Sequence, residues 1–223
     1  MNAREKRTLL KRDAFGTICR VDAPEPGCAV IAVERDTGQA RWWLRPLARS
    51  LARREARALR NLRGIAGVPQ LLQWDGRRLR RSWIEGRPMQ QARPADPAYF
   101  REALRLLRRL HAAGVLHNDL AKEPNWLVTA DGRPALVDFQ LAARPRLRGA
   151  VFRTLAYDDL RHLLKHKRSY CAPRLSERQR RILARRSIIS GAWTRTGKPI
   201  YRFITRGLLG WSDREGAGDR GEA

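Results

Sequence analysis

The alternation of apolar and polar positions in the first third of the chain predicts a small β-sheet. Residues 17–21 and 28–34 are rich in β-branched side chains and predict two strands. Residues 36–39 (Asp-Thr-Gly-Gln) are typical of a hairpin turn, and residues 40–44, which include two tryptophans, predict a further strand. The chain is therefore expected to run back and forth through this segment.

A helix and two more strands follow in the pattern. Helical spacing relates Leu51, Glu55, Leu59 and Leu62, and Gly64 ends the predicted helix. Residues 68–74 and 79–84 predict two strands joined by an Asp-Gly turn. Residues 85–88 (Glu-Gly-Arg-Pro) then form a short polar connection. The order of elements is strands, one helix, strands and a hinge.

The remainder of the chain is predicted to be mainly helical. Three segments have helical periodicity, and the last of them is amphipathic and basic: 98–113, 158–166 and 176–186. Two short apolar segments, 126–128 and 135–137, predict a hairpin that turns at Asp131 and Gly132. The predicted fold class is therefore α+β, with an antiparallel sheet and one helix in residues 1–84.

The predicted domain organisation follows from the same change of pattern. Residues 85–212 form the helical part, and the glycine-rich, charged residues 213–223 form a flexible tail. Cys19, Cys28 and Cys171 are widely spaced, which favours reduced cytosolic thiols over a disulfide framework or a zinc site. With no signal peptide and no long apolar run, we expect a cytoplasmic protein, at most peripheral on the inner face of the membrane.

Charge is the extreme feature of the composition. The 223 residues include 47 Lys and Arg against 22 Asp and Glu, a formal net charge of +25. Such a field attracts polyanions, namely nucleic acid, anionic lipid headgroups or a phosphorylated substrate. The alternative is that the excess of arginine reflects composition alone. Hydrophobic residues make up 43% of the chain, which favours a globular protein over a disordered one.

One stretch of the helical part carries the residues that phosphoryl transfer from ATP requires. Asp119, in His-Asn-Asp, can accept a hydroxyl proton, and Lys122 can neutralise charge on a transferring phosphate. Asn125 and Asp138 follow on the two sides of the predicted hairpin, and their oxygens suit Mg²⁺ or Mn²⁺. The four side chains therefore predict a phosphotransferase site.

The order and spacing of these residues resemble the catalytic loop and metal-binding element of the protein-kinase-like superfamily. The closest similarity is to bacterial lipopolysaccharide (Kdo/heptose) kinases and RIO-type Ser/Thr kinases. The resemblance implies a bilobal fold that binds ATP and Mg²⁺ (or Mn²⁺) between its lobes. It also implies that Asp119 is the catalytic base, that Lys122 contacts the γ-phosphoryl group, and that Asn125 and Asp138 are the metal ligands.

The resemblance extends to the first half of the chain. Glu55 corresponds to the ion-pairing acid of the first helix, and Arg45 occupies the position of the ATP-anchoring lysine. The backbone around Glu85 corresponds to the hinge that meets adenine. One of Asp158 and Asp159 corresponds to the helix acid that holds the catalytic loop by hydrogen bonds.

The sequence also departs from the family pattern. Arginine replaces lysine at position 45, Gln140 replaces the glycine of the Asp-Phe-Gly element, and residues 13–17 contain only one glycine. Asn125 lies one residue further from Asp119 than is usual. A catalytically weak pseudokinase that acts as a scaffold is therefore one alternative, and an RNA-associated RIO-like protein is another.

The phosphate acceptor is left open by the sequence. The resemblance implies either a Ser/Thr of a protein or a sugar hydroxyl of a lipopolysaccharide-type glycolipid. The short stretch between Asp138 and the next predicted helix favours the second, because it leaves little room for a peptide-binding segment. The basic run 161–186 and the aromatic segment 193–211 are candidates for contact with an anionic membrane surface.

Overall fold

The computed structural model describes residues 5–22, 31–145 and 149–185. The beginning of the predicted strand 28–34, the aromatic segment 193–211 and the predicted tail 213–223 lie outside the described residues. Within the described residues, Cys19 is half-buried, Cys171 is buried, and both are free thiols. None of the described helices is both long and apolar enough to cross a bilayer.

The first part of the chain forms a five-stranded antiparallel sheet. The strands are ordered β1-β2-β3-β5-β4. Their bounds are β1 (Lys6–Asp13), β2 (Gly16–Asp22), β3 (Ala32–Asp36), β4 (Leu71–Trp74) and β5 (Arg78–Ser82). The strands predicted at 17–21, 68–74 and 79–84 are confirmed. Strand β1 was not predicted, because it is an exposed edge strand whose leucines do not alternate with polar residues.

The predicted hairpin turn at 36–39 and strand at 40–44 are wrong. Two 3₁₀ turns, Thr37–Gln39 and Trp42–Leu44, occupy this segment and lead directly into helix α1 (Arg45–Asn61). The Asp36 carboxylate accepts a hydrogen bond from the Gly38 amide at 2.7 Å and so caps the first turn. Pro46, in the first turn of α1, has a φ suited to a helix start, and this local preference outweighs the β propensity of the tryptophans.

Helix α1 lies against the sheet through a stripe of small side chains. Ala52 and Ala56 are buried and pack against Leu79 of β5. Because alanine projects little beyond the backbone, the helix can approach the sheet closely. Leu59 is also fully buried and extends the stripe toward the helical part of the chain.

The second part of the chain is mainly helical, with a three-stranded antiparallel sheet of order β6-β7-β8. Its helices are α2 (Met89–Ala92), α3 (Pro97–Ala112), α4 (Ala150–Tyr170) and α5 (Glu177–Ala184). Its strands are β6 (Arg87–Pro88), β7 (Trp126–Val128) and β8 (Pro134–Leu136). The predicted helix 98–113 and hairpin 126–137 are confirmed, whereas the predicted helix 158–166 is the middle of a longer helix.

The core of this part fixes the residues that adjoin the candidate site. Trp126 and Phe139 are fully buried, and they directly follow Asn125 and Asp138 in sequence. Both rings belong to the same hydrophobic cluster as the apolar face of α3, which includes Leu107. Since large side chains in a close-packed core cannot shift without cost, the two neighbouring polar residues are held in place.

We expect Gly16→Ala to destabilise the protein by roughly 3 kcal/mol, which urea denaturation would measure. Gly16 has a φ of 125°, and a Cβ there would overlap the carbonyl oxygen of Asp36. Gly132→Ala is the matched control, because its φ is 74° and an added Cβ meets no atom within 4 Å. Equal losses for the two variants would contradict the proposed overlap.

Candidate active site

The loop that follows α3 is fixed at its start by a short backbone pairing. Gly114, with a φ of 76°, turns the chain after the helix. Leu116 then pairs with Ala143 through two backbone hydrogen bonds of 2.9 Å. This bridge places the start of the loop beside the segment that follows Asp138.

Helix α4 holds the loop from beneath. The buried carboxylate of Asp159 accepts hydrogen bonds from the backbone amides of His117 (2.9 Å) and Asn118 (3.0 Å). Asn118 has a left-handed φ of 61°, which orients the loop backbone. About two helical turns further along α4, the Nε2 atom of His166 lies 2.8 Å from the carbonyl oxygen of Leu120. The prediction that Asp158 or Asp159 anchors the loop is confirmed for Asp159.

His117 connects the loop to the strand end that carries Asp138. Its Nε2 lies 3.0 Å from the carbonyl oxygen of Val137, so this nitrogen carries the proton and donates. Its ring contacts Phe139, with 4.6 Å between centroids. The ring is buried. His117 is therefore a structural brace between two segments of the site.

Asp119, Lys122 and Asn125 come together on the loop, as predicted. Lys122 Nζ lies 3.0 Å from Asp119 Oδ2. The buried Asn125 donates through Nδ2 to the backbone oxygen of Asp119 (2.8 Å) and to its carboxylate (3.1 Å). These bonds use the amide nitrogen of Asn125, so the oxygen Oδ1 is the end of the side chain suited to a cation.

Asp138 lies next to this group. The amide of Val137 donates to the carbonyl oxygen of Asn125 at 3.0 Å, so the chain reaches Asp138 directly from a contact with the loop. Asp138 has a left-handed φ of 63°, a conformation that residues other than glycine adopt rarely and mostly at functional sites. Asp119, Asn125 and Asp138 are thus gathered by two hydrogen-bonded connections.

The charge of Asp138 is stabilised by arginines from the sheet. Burial alone would raise the pKa of Asp138, but the positive charges of Arg35 and Arg81 and a hydrogen bond from Gln140 outweigh it. The pKa is therefore lowered, and the side chain is a carboxylate at neutral pH. Gln140 donates to Asp138 at 2.7 Å and accepts from Arg35 at 2.7 Å, so it links the two residues.

The expected pairing of Glu55 with Arg45 is not found. The buried Glu55 carboxylate instead pairs with Arg81 of β5, 3.0 Å from its Nε. Arg45 is exposed at the start of α1 rather than on a strand, and its Nε donates to the carbonyl oxygen of Ala40. The error follows from the incorrect strand prediction at 40–44. That prediction put Arg45 at the end of a strand, whereas it begins helix α1.

Two arginines of the sheet were missed by the sequence interpretation. Arg81 lies opposite Val33 in the β3–β5 register, and Arg35 lies two residues beyond Val33. Because side chains alternate along a strand, both arginines project from the same face. The sequence Ala-Val-Glu-Arg at the end of the strand predicted at 28–34 was the signal that could have identified Arg35.

Two other predicted features are Glu85, expected near adenine, and the β1–β2 turn, expected near the phosphates. Glu85 is exposed, and its carboxylate accepts a hydrogen bond from the Trp83 indole at 2.7 Å. Its part in adenine binding stays a prediction. The β1–β2 turn lacks a glycine-rich loop and is fastened by a hydrogen bond from the Arg41 amide to the Ala14 carbonyl oxygen at 3.1 Å.

The basic run at 161–186 is only partly exposed, and its role at a membrane stays a prediction. Its exposed members include Arg168, Arg178, Arg180, Arg181 and Arg185, whereas several others on α4 are buried or half-buried. Arg161 is partly buried and donates to the Leu183 carbonyl oxygen at 3.1 Å. Lys167 is buried, and its Nζ donates to Gln179 at 2.9 Å. His166 is also buried. These side chains serve the packing of α4 against the loop and α5.

The donor set fits a divalent cation that prefers oxygen ligands. Asp138 offers a carboxylate, and Asn125 offers an amide oxygen, which are hard ligands of the kind that Mg²⁺ binds. No cluster of three or more His, Cys, Asp and Glu side chains suited to a metal ion occurs in the described part of the chain. The candidate ligands are instead one carboxylate and one amide.

No protein-family model matches this sequence, and no curated protein is similar to it.

We expect Asp159→Asn to lower the free energy of unfolding by roughly 2 to 3 kcal/mol, because it removes a buried charge that accepts backbone amides. Hydrogen exchange at the amides of His117 and Asn118 should accelerate as the loop loses its anchor. Asp158→Asn is the control, since Asp158 is the neighbouring acid on α4 and its carboxylate lies 3.4 Å from His162. Unchanged exchange at the two amides would show that Asp159 does not hold the loop.

Proposed function

We propose that this chain is an ATP-dependent phosphotransferase with a bilobal protein-kinase-like fold. The N-terminal lobe would comprise residues 1–84 and the C-terminal lobe residues 85–212. The five-stranded antiparallel sheet with helix α1, followed by a mainly helical part, supports this division.

The observation that carries the proposal is the way in which the loop 117–125 is built. Asp159 binds the backbone of the loop, and Asn125 binds Asp119 through its amide nitrogen. Val137 then bonds to Asn125, which brings Asp138 to the same place. Phosphoryl transfer requires a general base, a cation and two oxygen ligands close together. The loop 117–125 carries three of these groups, and Asp138 follows Val137, which is hydrogen-bonded to it.

In the proposed reaction Asp119 accepts the proton of the acceptor hydroxyl. The hydroxyl oxygen forms a bond to the γ-phosphorus of ATP, and the bond to the β–γ bridging oxygen breaks, so that ADP leaves with the electron pair. Lys122 offsets negative charge on the γ-phosphoryl group. The ion pair between Lys122 and Asp119 keeps both side chains oriented before the substrates bind.

Asp138 and Asn125 would hold Mg²⁺ or Mn²⁺. When bound, the cation would supply charge neutralisation at the phosphate oxygens. Asp138 is suited to this role because its lowered pKa keeps it ionised at neutral pH.

Arg35, rather than Arg45, is the proposed cation for the α- and β-phosphates. Arg35 lies at the end of β3 and is linked to Asp138 through Gln140. Arg81 is engaged by the buried Glu55, so it would reinforce the positive potential and hold α1 against the sheet. Arginine binds phosphate through a planar fork, which lysine lacks.

The proposed acceptor is a sugar hydroxyl of a lipopolysaccharide-type glycolipid. The alternative acceptor is the hydroxyl of a Ser or Thr residue of a protein. Helix α4 begins at Ala150, so only residues 139–149 separate it from Asp138. This stretch is shorter than the sequence predicted. It therefore leaves less room for a segment that would bind an extended peptide.

A non-catalytic scaffold is the second candidate function. Two observations favour it: the β1–β2 turn is fastened to Arg41 instead of forming a glycine-rich loop, and the ion pair of Glu55 involves Arg81 and not a lysine of β3. Such a protein would keep the fold while transferring no phosphate. The following experiments distinguish the two functions.

We expect ATP with Mg²⁺ to raise the melting temperature of the wild-type protein, since a ligand that binds only the folded state stabilises it. Asp138→Asn should abolish the metal-dependent rise, whereas Asp131→Asn, in the exposed β7–β8 turn, should retain it. Asp119→Asn should retain nucleotide binding but lose ATP turnover by roughly a hundredfold or more. A normal shift without turnover in the wild type would favour the scaffold, and no shift at all would reject the nucleotide site.

We expect Arg35→Gln to weaken ATP binding by about tenfold, measured by calorimetry, because it removes a charge-assisted contact with phosphate. Arg45→Gln removes the same charge from the exposed start of α1 and should leave the affinity nearly unchanged. The reverse order of effects would return the phosphate-binding role to Arg45.

A further inference from the structure

The exposed face of α1 is lined with arginine. From residue 41 to residue 57 the sequence contains six arginines and one acidic residue, the buried Glu55. Arginines recur at every fourth position along the helix and the turn before it, and we call these side chains the arginine row: Arg41, Arg45, Arg49, Arg53 and Arg57. Residues four apart are neighbours on a helix surface, each turned by about 40° from the one before, so the row winds across the exposed side of α1. All five side chains are exposed.

The arginine row has no acidic partner among the residues that the structure describes. Elsewhere in the same part of the chain arginines are paired: Arg77 with Asp36, Arg80 with Glu5 and Glu34. Within the described residues, the positive charge of the row is therefore not neutralised by an ion pair.

Large apolar side chains are exposed at the N-terminal end of the helix, in the stretch of chain where the row begins. Trp42 is 78% exposed, Trp43 is 40% exposed and Leu47 is 49% exposed. We call these three residues the tryptophan patch. Trp43 and Leu47 are four residues apart, and the opposite side of the helix is the buried alanine stripe. A face that only had to remain hydrated would not need two exposed tryptophans beside a leucine.

An anionic bilayer surface has a layer of negatively charged headgroups above a layer of acyl chains. The arginine row suits the first layer, and the tryptophan patch suits the boundary with the second. Arginine binds lipid phosphate, and attraction to an anionic leaflet grows with each basic residue near it. Tryptophan favours the boundary between headgroups and acyl chains, where leucine can also be buried. Nucleic acid would satisfy the arginine row, but it offers no apolar layer for Leu47.

We propose that the arginine row and the tryptophan patch together form a docking surface for an anionic phospholipid bilayer, with α1 lying parallel to the membrane plane. The surface lies on the exposed side of α1, opposite the buried alanine stripe. Its binding does not depend on the proposed phosphotransferase activity, and it can be measured without any substrate.

The test is sedimentation of the full-length protein with vesicles of phosphatidylcholine alone or mixed with phosphatidylglycerol. Wild-type protein should bind only the anionic vesicles, and high salt should weaken binding. Trp42→Ser with Leu47→Ser should lower the partition coefficient about tenfold, because apolar area no longer enters the interface. Arg49→Gln, Arg53→Gln and Arg57→Gln combined should lower it by about tenfold or more.

Matched controls separate this surface from diffuse charge. Leu9→Ser with Leu10→Ser alters another exposed apolar pair, on β1. Arg101→Gln, Arg108→Gln and Arg109→Gln remove three charges from the exposed side of α3. Both controls should bind nearly as wild type does, and melting temperatures verify that every variant is folded.

Three outcomes would overturn the proposal. The first is that the wild-type protein does not bind anionic vesicles. The second is that the α1 and α3 arginine variants lose binding equally, which would indicate general electrostatics. The third is that the α1 variant keeps vesicle binding but loses binding to a single-stranded oligonucleotide, which would identify a nucleic-acid surface instead.

Discussion

The geometry of the candidate site depends on one buried carboxylate. Asp159 accepts the backbone amides of His117 and Asn118, and its Oδ2 also lies 3.2 Å from His111 Nε2. A buried charge is tolerated only when donors surround it, so the loop and α3 must come to Asp159 for α4 to pack at all. The same contacts that satisfy this charge fix the position from which Asp119 and Asn125 project.

The hydrophobic core performs the complementary task. Trp126 and Phe139 are buried immediately after Asn125 and Asp138, so packing holds the two candidate ligands from behind while hydrogen bonds hold the loop. Asp138 then adopts a left-handed backbone that would not persist by itself. The surrounding core offsets this strain, and the strained residue is the one that we propose as a metal ligand.

The sequence predicted the residues of the loop well because their chemistry and their spacing depend on local chain order. Asp119, Lys122 and Asn125 fall within one loop, and a short hairpin leads from there to Asp138. Arg35, the sheet arginine that we propose as the phosphate-binding cation, could not be predicted in the same way. Trp42 and Trp43 have β propensity, and they led to a predicted strand at 40–44. In the structure the Asp36 cap starts a turn and Pro46 lies in the first turn of a helix, so Arg45 is on a helix instead of a strand.

The connection from Arg35 through Gln140 to Asp138 spans 105 residues of sequence between its first two members. During synthesis the sheet emerges long before Gln140 exists, so Arg35 has to wait for the second half of the chain to acquire this partner. The candidate site consequently needs both the sheet and the segment that follows Asp138. A fragment that ended before residue 140 would contain the strand, the helix and the arginine, but it would lack the partner that orients them.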